Sequence, residues 1–236
     1  MARITFFDIE STNLNANYGY CLCIAWKHLG ESKIHCVSID QSPKFKEDPT
    51  NDAHVVKTTA EALSQSDVVV GWYSQRFDWP FIQSRLLTHK LQVMPPIPHV
   101  DLWRTAKYQL KLNSNRLASV SEFLQLDEKT PIRSREWIRA MAGHKKSIKY
   151  VVDHCKQDIV VLEEAYYKLR PLIKQHPNVN VIDQDAAPAC PVCGSEHIQK
   201  RGFSVASVSR TQRFHCQRCG AWSKGKAERL KELIVR

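Results

Sequence analysis

The chain has 236 residues, 43% of them hydrophobic, and a formal net charge of +10. That length supports one substantial core with a small appendage. The eight cysteines lie in apolar segments or in two CxxC pairs, which is not a secreted disulfide framework. No stretch approaches the roughly 20 apolar residues of a bilayer span, and strand-like sequence starts at Arg3 with no signal peptide before it. No membrane partner is therefore expected, and the expected location is cytoplasmic (the host cytoplasm, were the chain viral).

Taken in order, Arg3–Ile9 predicts a strand. Tyr20–Leu29 and Lys33–Asp40 predict two more, joined by a tight turn at Gly30. A loop with two prolines covers 41–51, and Thr58–Ser64 predicts a short helix. "DVVVGW", Asp67–Trp72, is a short apolar run of the kind buried on both faces of a sheet. A helix over Phe77–His89 and a fifth strand over Ile97–Leu102 follow. Beyond Leu102 the pattern is helical, with Leu117, Val120, Phe123 and Leu124 on one apolar face. From Lys146 to Leu169, apolar residues recur at Ile148, Val151, Cys155, Ile159, Leu162 and Tyr166, the period of an amphipathic helix that Pro171 stops. These elements predict an α/β domain over 1–171 with a mixed sheet, a linker over 172–187 and a cysteine-rich module over 188–236.

Charge is uneven between these parts. From Pro188 onward there are 10 Lys/Arg against 3 Asp/Glu, whereas the residues before it hold 24 against 21. A basic tail on a nearly balanced body points to a polyanion, most simply nucleic acid.

Asp8 and Glu10 end the first strand two residues apart, so they project side by side from one face. Neighbouring carboxylates repel, and a divalent cation such as Mg²⁺ or Mn²⁺ removes that penalty. Solvent at a strand end explains the pair more simply if it stands alone. Asp78, before a helix, reads equally as a residue favoured by the helix dipole. Tyr150, His154 and Asp158 recur every four residues and share a helical stripe, which either faces solvent or serves a site.

Together these segments resemble the DEDD superfamily of 3′–5′ exonucleases, closest to the proofreading domains of family-B DNA polymerases and their stand-alone relatives, over about residues 3 to 170. "FDIESTNL" is similar to the first motif, Phe-Asp-Ile-Glu-Thr-Thr-Gly-Leu. "GWYSQRFDWPFIQSR" is similar to the second, with Gly71, Phe77, Asp78 and Arg85 in family positions. "HVDLW" resembles the strand that comes next, and "HCKQDIVVLEE" resembles the third motif, Tyr-Cys-x-x-Asp. The resemblance implies a ribonuclease-H-like mixed sheet flanked by helices. It implies that Asp8, Glu10, Asp78 and Asp158 hold two Mg²⁺ or Mn²⁺ for phosphodiester hydrolysis. His154 stands where the family has tyrosine; imidazole accepts a proton near neutral pH, which makes it the candidate to activate water. Tyr150, roughly 12 Å along the helix from Asp158, is a poor substitute. Tyr73 replaces the family asparagine. Asn13 replaces a glycine and is expected to tolerate the left-handed conformation. Thr12, Leu14, Tyr73 and Arg85 are expected at the nucleic acid, with a loop folded back on the core as the alternative for Leu14. Asp101 is expected to be structural, not a ligand.

Cys190/Cys193 and Cys216/Cys219 form two CxxC pairs separated by 22 residues, the spacing of a Cys₄ zinc ribbon. One structural Zn²⁺ is expected, with His197 and His215 outside its shell. The module resembles the zinc ribbons of transposases and transcription factors. Lys200, Arg201, Arg210, Arg213 and Arg218, interleaved with Phe203, Phe214 and Trp222, suit nucleic acid; a protein-binding staple is the other reading.

The expected function is a metal-dependent 3′–5′ exonuclease acting on DNA, the ribbon assisting. A ribonuclease or structure-specific nuclease with the same site, and an inactive nucleic-acid-binding adaptor, are the alternatives. The partner is nucleic acid, DNA favoured and RNA allowed. Proofreading would act in trans, beside a polymerase or another replication or repair protein.

Overall fold

A computed structural model describes residues 2–126, 133–182 and 188–229. The chain divides into two compact units, Arg3–Tyr166 and the segment from Tyr167 onward with the N-terminal residues.

The first unit is built on β1 (Ile4–Ser11), β2 (Cys21–His28), β3 (His35–Ser38), β4 (Val68–Gly71) and β5 (His99–Asp101), ordered β3-β2-β1-β4-β5. β1, β2 and β3 pair antiparallel as hairpins, whereas β1, β4 and β5 are parallel. The sheet is the expected mixed one. Helices are α1 (Ala53–Leu63), α2 (Asp78–Thr88), α3 (Leu102–Gln109), α4 (Leu117–Leu124), α5 (Ser134–Met141) and α6 (Lys145–Leu169).

Successive residues of β1 point to opposite faces, and both faces are covered. The Phe7 ring meets Trp79 of α2 at 6.2 Å, while the Phe6 ring meets Tyr166 of α6 at 5.4 Å. Both phenylalanines are fully buried, each contributing about 1.5–3 kcal/mol. Phe6, Asp8 and Glu10 thus face α6, and Phe7 and Ile9 face α2. Lys27 on β2 and Glu163 on α6 form an ion pair across the layers. The apolar stripe Ile148, Val151, Cys155, Ile159, Leu162 and Tyr166 is buried throughout.

Several elements differ from expectation. α1 begins at Ala53, five residues before the expected Thr58, because Val55 and Val56 join Thr59, Ala60 and Leu63 in one buried face. β3 is shorter than Lys33–Asp40, giving way to a 3₁₀ turn at Ile39–Gln41 whose Ser38 amide is bonded to the Gln41 side chain at 3.0 Å. β5 stops at Asp101, because that carboxylate accepts from the Trp103 amide at 3.0 Å and opens α3. Phe123 is 56% exposed, so the inward face of α4 is Leu117, Val120 and Ser121.

The second unit holds a three-stranded antiparallel sheet, β6 (Ile198–Val205), β7 (Ser209–Cys216) and β8 (Trp222–Arg229), beside a buried cluster of Cys190, Val192, Cys216, Cys219 and Ala221. Part of the expected linker is ordered against the first CxxC turn: a 3₁₀ turn at Val179–Val181 bonds to Pro191 and Ala189. Residues 183–187 of that linker lie outside the described residues.

Candidate active site and cysteine centre

β1, β4 and β5 are parallel, so their carboxyl ends share one edge of the sheet, the place where α/β folds open a crevice. A register shift between Glu10 and Ser11 interrupts the β1–β2 ladder there, before its last pair, Ser11 with Cys21. Asp8 and Glu10 project from that end toward α6. Glu10, His154 and Asp158 each offer a ligand atom, and these atoms lie within 4.8 Å of one another; so do those of Asp8, Glu10 and Cys155. His154 Nε2 is 3.8 Å from Glu10 Oε1 and 3.9 Å from Asp158 Oδ2. His154 is 1% exposed and Asp158 is buried, so this stripe of α6 faces the site and not solvent. Trp137 of α5 meets the His154 ring edge-on at 6.3 Å.

Asp78 approaches from the other side. It opens α2, and its Oδ1 accepts from the amide of Ile9, the residue between Asp8 and Glu10. Burial pushes its carboxyl up to about 7, despite the backbone amides that oppose the shift. Desolvation therefore outweighs the helix terminus. Cys155, an apolar filler by sequence, lies with its Sγ 3.5 Å from the Asp8 carbonyl. Burial first, then the Asp8 charge, raises its thiol well above the ordinary range, so it stays protonated among the carboxylates.

A hollow of 610 Å³ opens onto Asp8 and Asp158, walled by Trp72, Tyr73, Trp103, Asn115 and Arg116. Tyr73 sits at φ 61, a left-handed conformation uncommon for a tyrosine. Asp101 holds it there, accepting from the amides of Tyr73 at 3.0 Å, Gln75 at 3.2 Å and Trp103 at 3.0 Å. The Tyr73 and Trp103 rings meet edge-on at 4.8 Å. Trp72 Nε1 donates to the Asn115 carbonyl at 3.1 Å, closing the wall. Gly71 permits this turn, since a Cβ there would lie 2.2 Å from Ser74 Oγ. Asp101 is thus structural, as expected. Trp72, Trp103 and Arg116 are missing from the sequence-derived set; the aromatic flanks of "GWY" and "DLW" are the signal that marks two of them.

The remaining expected residues fall into different places. Leu14 is 80% exposed, which overturns the folded-back alternative, and Tyr18 beside it is equally exposed. Thr12 Oγ1 accepts from the Tyr20 amide at 3.0 Å, fixing the base of that loop. Asn13 does not take the left-handed conformation; its Oδ1 accepts from the Asn15 amide at 2.9 Å in a local turn. Arg85 is committed inward. Its Nε and Nη2 grip the fully buried Asp52 at 2.9 and 2.8 Å, and Nη1 donates to the Ala16 carbonyl. Asp52 also accepts from the Cys21 amide at 2.8 Å and pairs with His89 Nε2 at 2.6 Å.

In the second unit, the four thiols Cys190, Cys193, Cys216 and Cys219 lie within 4.8 Å of one another. Sγ separations are 3.7 Å for Cys190–Cys219 and 3.6 Å for Cys193–Cys216. Disulfide sulfurs would be about 2.05 Å apart. A tetrahedron with Zn–S bonds of about 2.3 Å has edges of about 3.8 Å, so the thiols fit a metal of that kind. Neither His197 nor His215 joins the group. The amides of Cys219 and Arg218 bring the Cys216 thiol to about 7 against the opposing effect of burial. Lys200, Arg201, Arg210, Arg213 and Arg218 are all exposed.

Residues 5–170 match the model of the RNase_H superfamily. The chain belongs to that superfamily, whose fold serves phosphodiester hydrolysis of nucleic acids with divalent metal ions. Among solved structures, the first unit's fold is shared with the family B DNA polymerase from the hyperthermophilic archaeon Pyrobaculum calidifontis, at a TM-score of 0.60 and 16% identity, over 72% of this chain and 25% of the polymerase. The chain thus spans about a quarter of that protein. A comparison with curated proteins gave no match.

Proposed function

We propose that the protein is a 3′–5′ exonuclease that hydrolyses DNA one nucleotide at a time, using two divalent ions held by Asp8, Glu10, Asp78 and Asp158. The observation that carries this reading is the convergence of Asp8 and Glu10 on β1 with His154 and Asp158 on α6, in a fold of the RNase_H superfamily. The donor set fits Mg²⁺ or Mn²⁺: it is oxygen-rich, and a cation would offset the burial that raises the Asp78 carboxyl to about 7. When bound, the ions would supply an activated water and a counter-charge for the leaving 3′ oxygen.

The chain's own groups do the rest. His154 Nε2, between Glu10 and Asp158, takes the proton of the attacking water, and Trp137 keeps the imidazole in place. Tyr73 and Trp103 line the hollow beside the carboxylates and receive the terminal base. Thr12 holds the loop whose exposed Leu14 supports the 3′ end. Arg85, through Asp52 and Ala16, braces that loop. The Cys₄ centre binds Zn²⁺, and the basic ribbon around it assists nucleic-acid binding. The 16%-identical polymerase fold favours DNA as the substrate class. The test is Mg²⁺- or Mn²⁺-dependent shortening of matched DNA and RNA strands. DNA should be degraded and Asp8→Ala should abolish it. Faster RNA loss would make it a ribonuclease, and binding without turnover an adaptor.

A further inference from the structure

The sheet of the second unit carries two cation–aromatic pairs, and its register places them on opposite faces. The irregularities of pairing lie in β6, between Lys200 and Phe203, and in β8, between Lys224 and Ala227. β7 is therefore regular, and its side chains alternate. Arg210 and Gln212 share one face. There Arg210 lies over the Phe203 ring at 4.8 Å and is also paired to Glu228 at 3.1 Å, which offsets its charge. Arg213 and His215 share the other. There Arg213 lies over the Trp222 ring at 5.5 Å, the His215 ring sits 4.8 Å from Trp222 at 34°, and Lys224 stands opposite Arg213. Trp222 is 53% exposed. Gln199, opposite His215, carries the face into a hollow of 310 Å³ lined also by Arg218.

We infer that this second face, centred on Trp222, binds single-stranded nucleic acid by stacking one base on the indole while Arg213 and Lys224 take the flanking phosphates. Charge complementarity selects the partner. The paired positions around Trp222 present cations without a carboxylate, whereas Glu228 sits on the opposite face. An indole that is 53% exposed, with cations beside it, suits an unstacked base, which a duplex does not offer. Phe203 and Arg210, although equally basic–aromatic in sequence, are not part of the surface. The inference rests on the proposed function only in that the partner is a nucleic acid.

The test uses the full zinc-loaded chain, without added Mg²⁺ or Mn²⁺, and a labelled twenty-nucleotide oligo-dT. Trp222→Ala should weaken binding about 10-fold or more with an unchanged salt slope, and Trp222→Phe should restore most of it. Arg213→Gln and Lys224→Gln should each flatten the slope of log affinity against log salt by about 0.7. Phe203→Ala should bind as the parent does. A Trp222→Ala protein that retains its zinc and binds normally, or equal losses from Phe203→Ala, overturns the inference. Cleavage of a dinucleotide separates the two readings. A parent chain that cleaves nothing would refute the nuclease while the binding result stands.

Discussion

At the scale of single residues, the proposed chemistry turns on His154, whose Nε2 lies 3.8 Å from Glu10 Oε1 and 3.9 Å from Asp158 Oδ2. His154 is buried between two carboxylates and an indole, so its replacement removes the proton acceptor of the proposed chemistry. His154→Ala should lower metal-dependent turnover by about 10²–10⁴-fold and flatten the acid limb of the pH–rate profile, with binding of DNA retained. His99 shows what burial does without such a role. It packs against Phe7 and Trp79, bonds Ser74 Oγ at 2.8 Å, and is held down to about 4 by desolvation. A depressed histidine stabilises the fold fully above its unfolded value of about 6.5, and that stability is lost as pH falls toward 4. Urea titrations of the metal-free protein should therefore show stability falling across that window, and His99→Gln should reduce the fall. Strand and helix periods put Asp8 with Glu10, and His154 with Asp158, on common faces, but solvent explained each pair as well until the family resemblance joined them. Arg116 was not legible, because it reaches the hollow from the segment just before α4, which no sequence pattern marks.

At the scale of elements, the loop after β1 is held by a buried ion-pair network. Asp52 precedes α1, Arg85 and His89 belong to α2 and its end, and the amide of Cys21 opens β2, so one carboxylate ties three elements together. Removing it strands a buried guanidinium. Asp52→Ala should cost about 3–5 kcal/mol in chemical denaturation and loosen the loop carrying Leu14 and Tyr18. The sequence reads Arg85 as a ligand of nucleic acid; the partner that draws it inward lies 33 residues away, a separation that no local pattern encodes. Element types were legible where the apolar pattern was strong, as in the helical period of α6 and the continuous apolar run of β4. The ends of α1, β3 and β5 were not, since each is set by a side-chain cap or by burial against a distant strand.

At the scale of the whole molecule, the chain combines an RNase_H-type body, stabilised by layers of apolar side chains, with a small unit whose core is a cluster of cysteines, Val192 and Ala221. A core this small is of the kind that a metal stabilises, and the proposed Zn²⁺ would supply that. Stripping the metal with a chelator should abolish amide protection in β6, β7 and β8, leave β1 and β4 protected, and be reversed by Zn²⁺. The two CxxC pairs made that centre legible, since thiolate spacing is a local property; the two faces of its sheet emerge only from strand register. The central claim is that four carboxylates and His154 remove nucleotides from a 3′ end. The most direct measurement uses DNA labelled on its 3′-terminal nucleotide and follows the first product in Mg²⁺ or Mn²⁺. Immediate release of a labelled mononucleotide, absent without metal and in Asp158→Ala, is the predicted result. A label that stays on the strand, or leaves only in longer fragments, would contradict it.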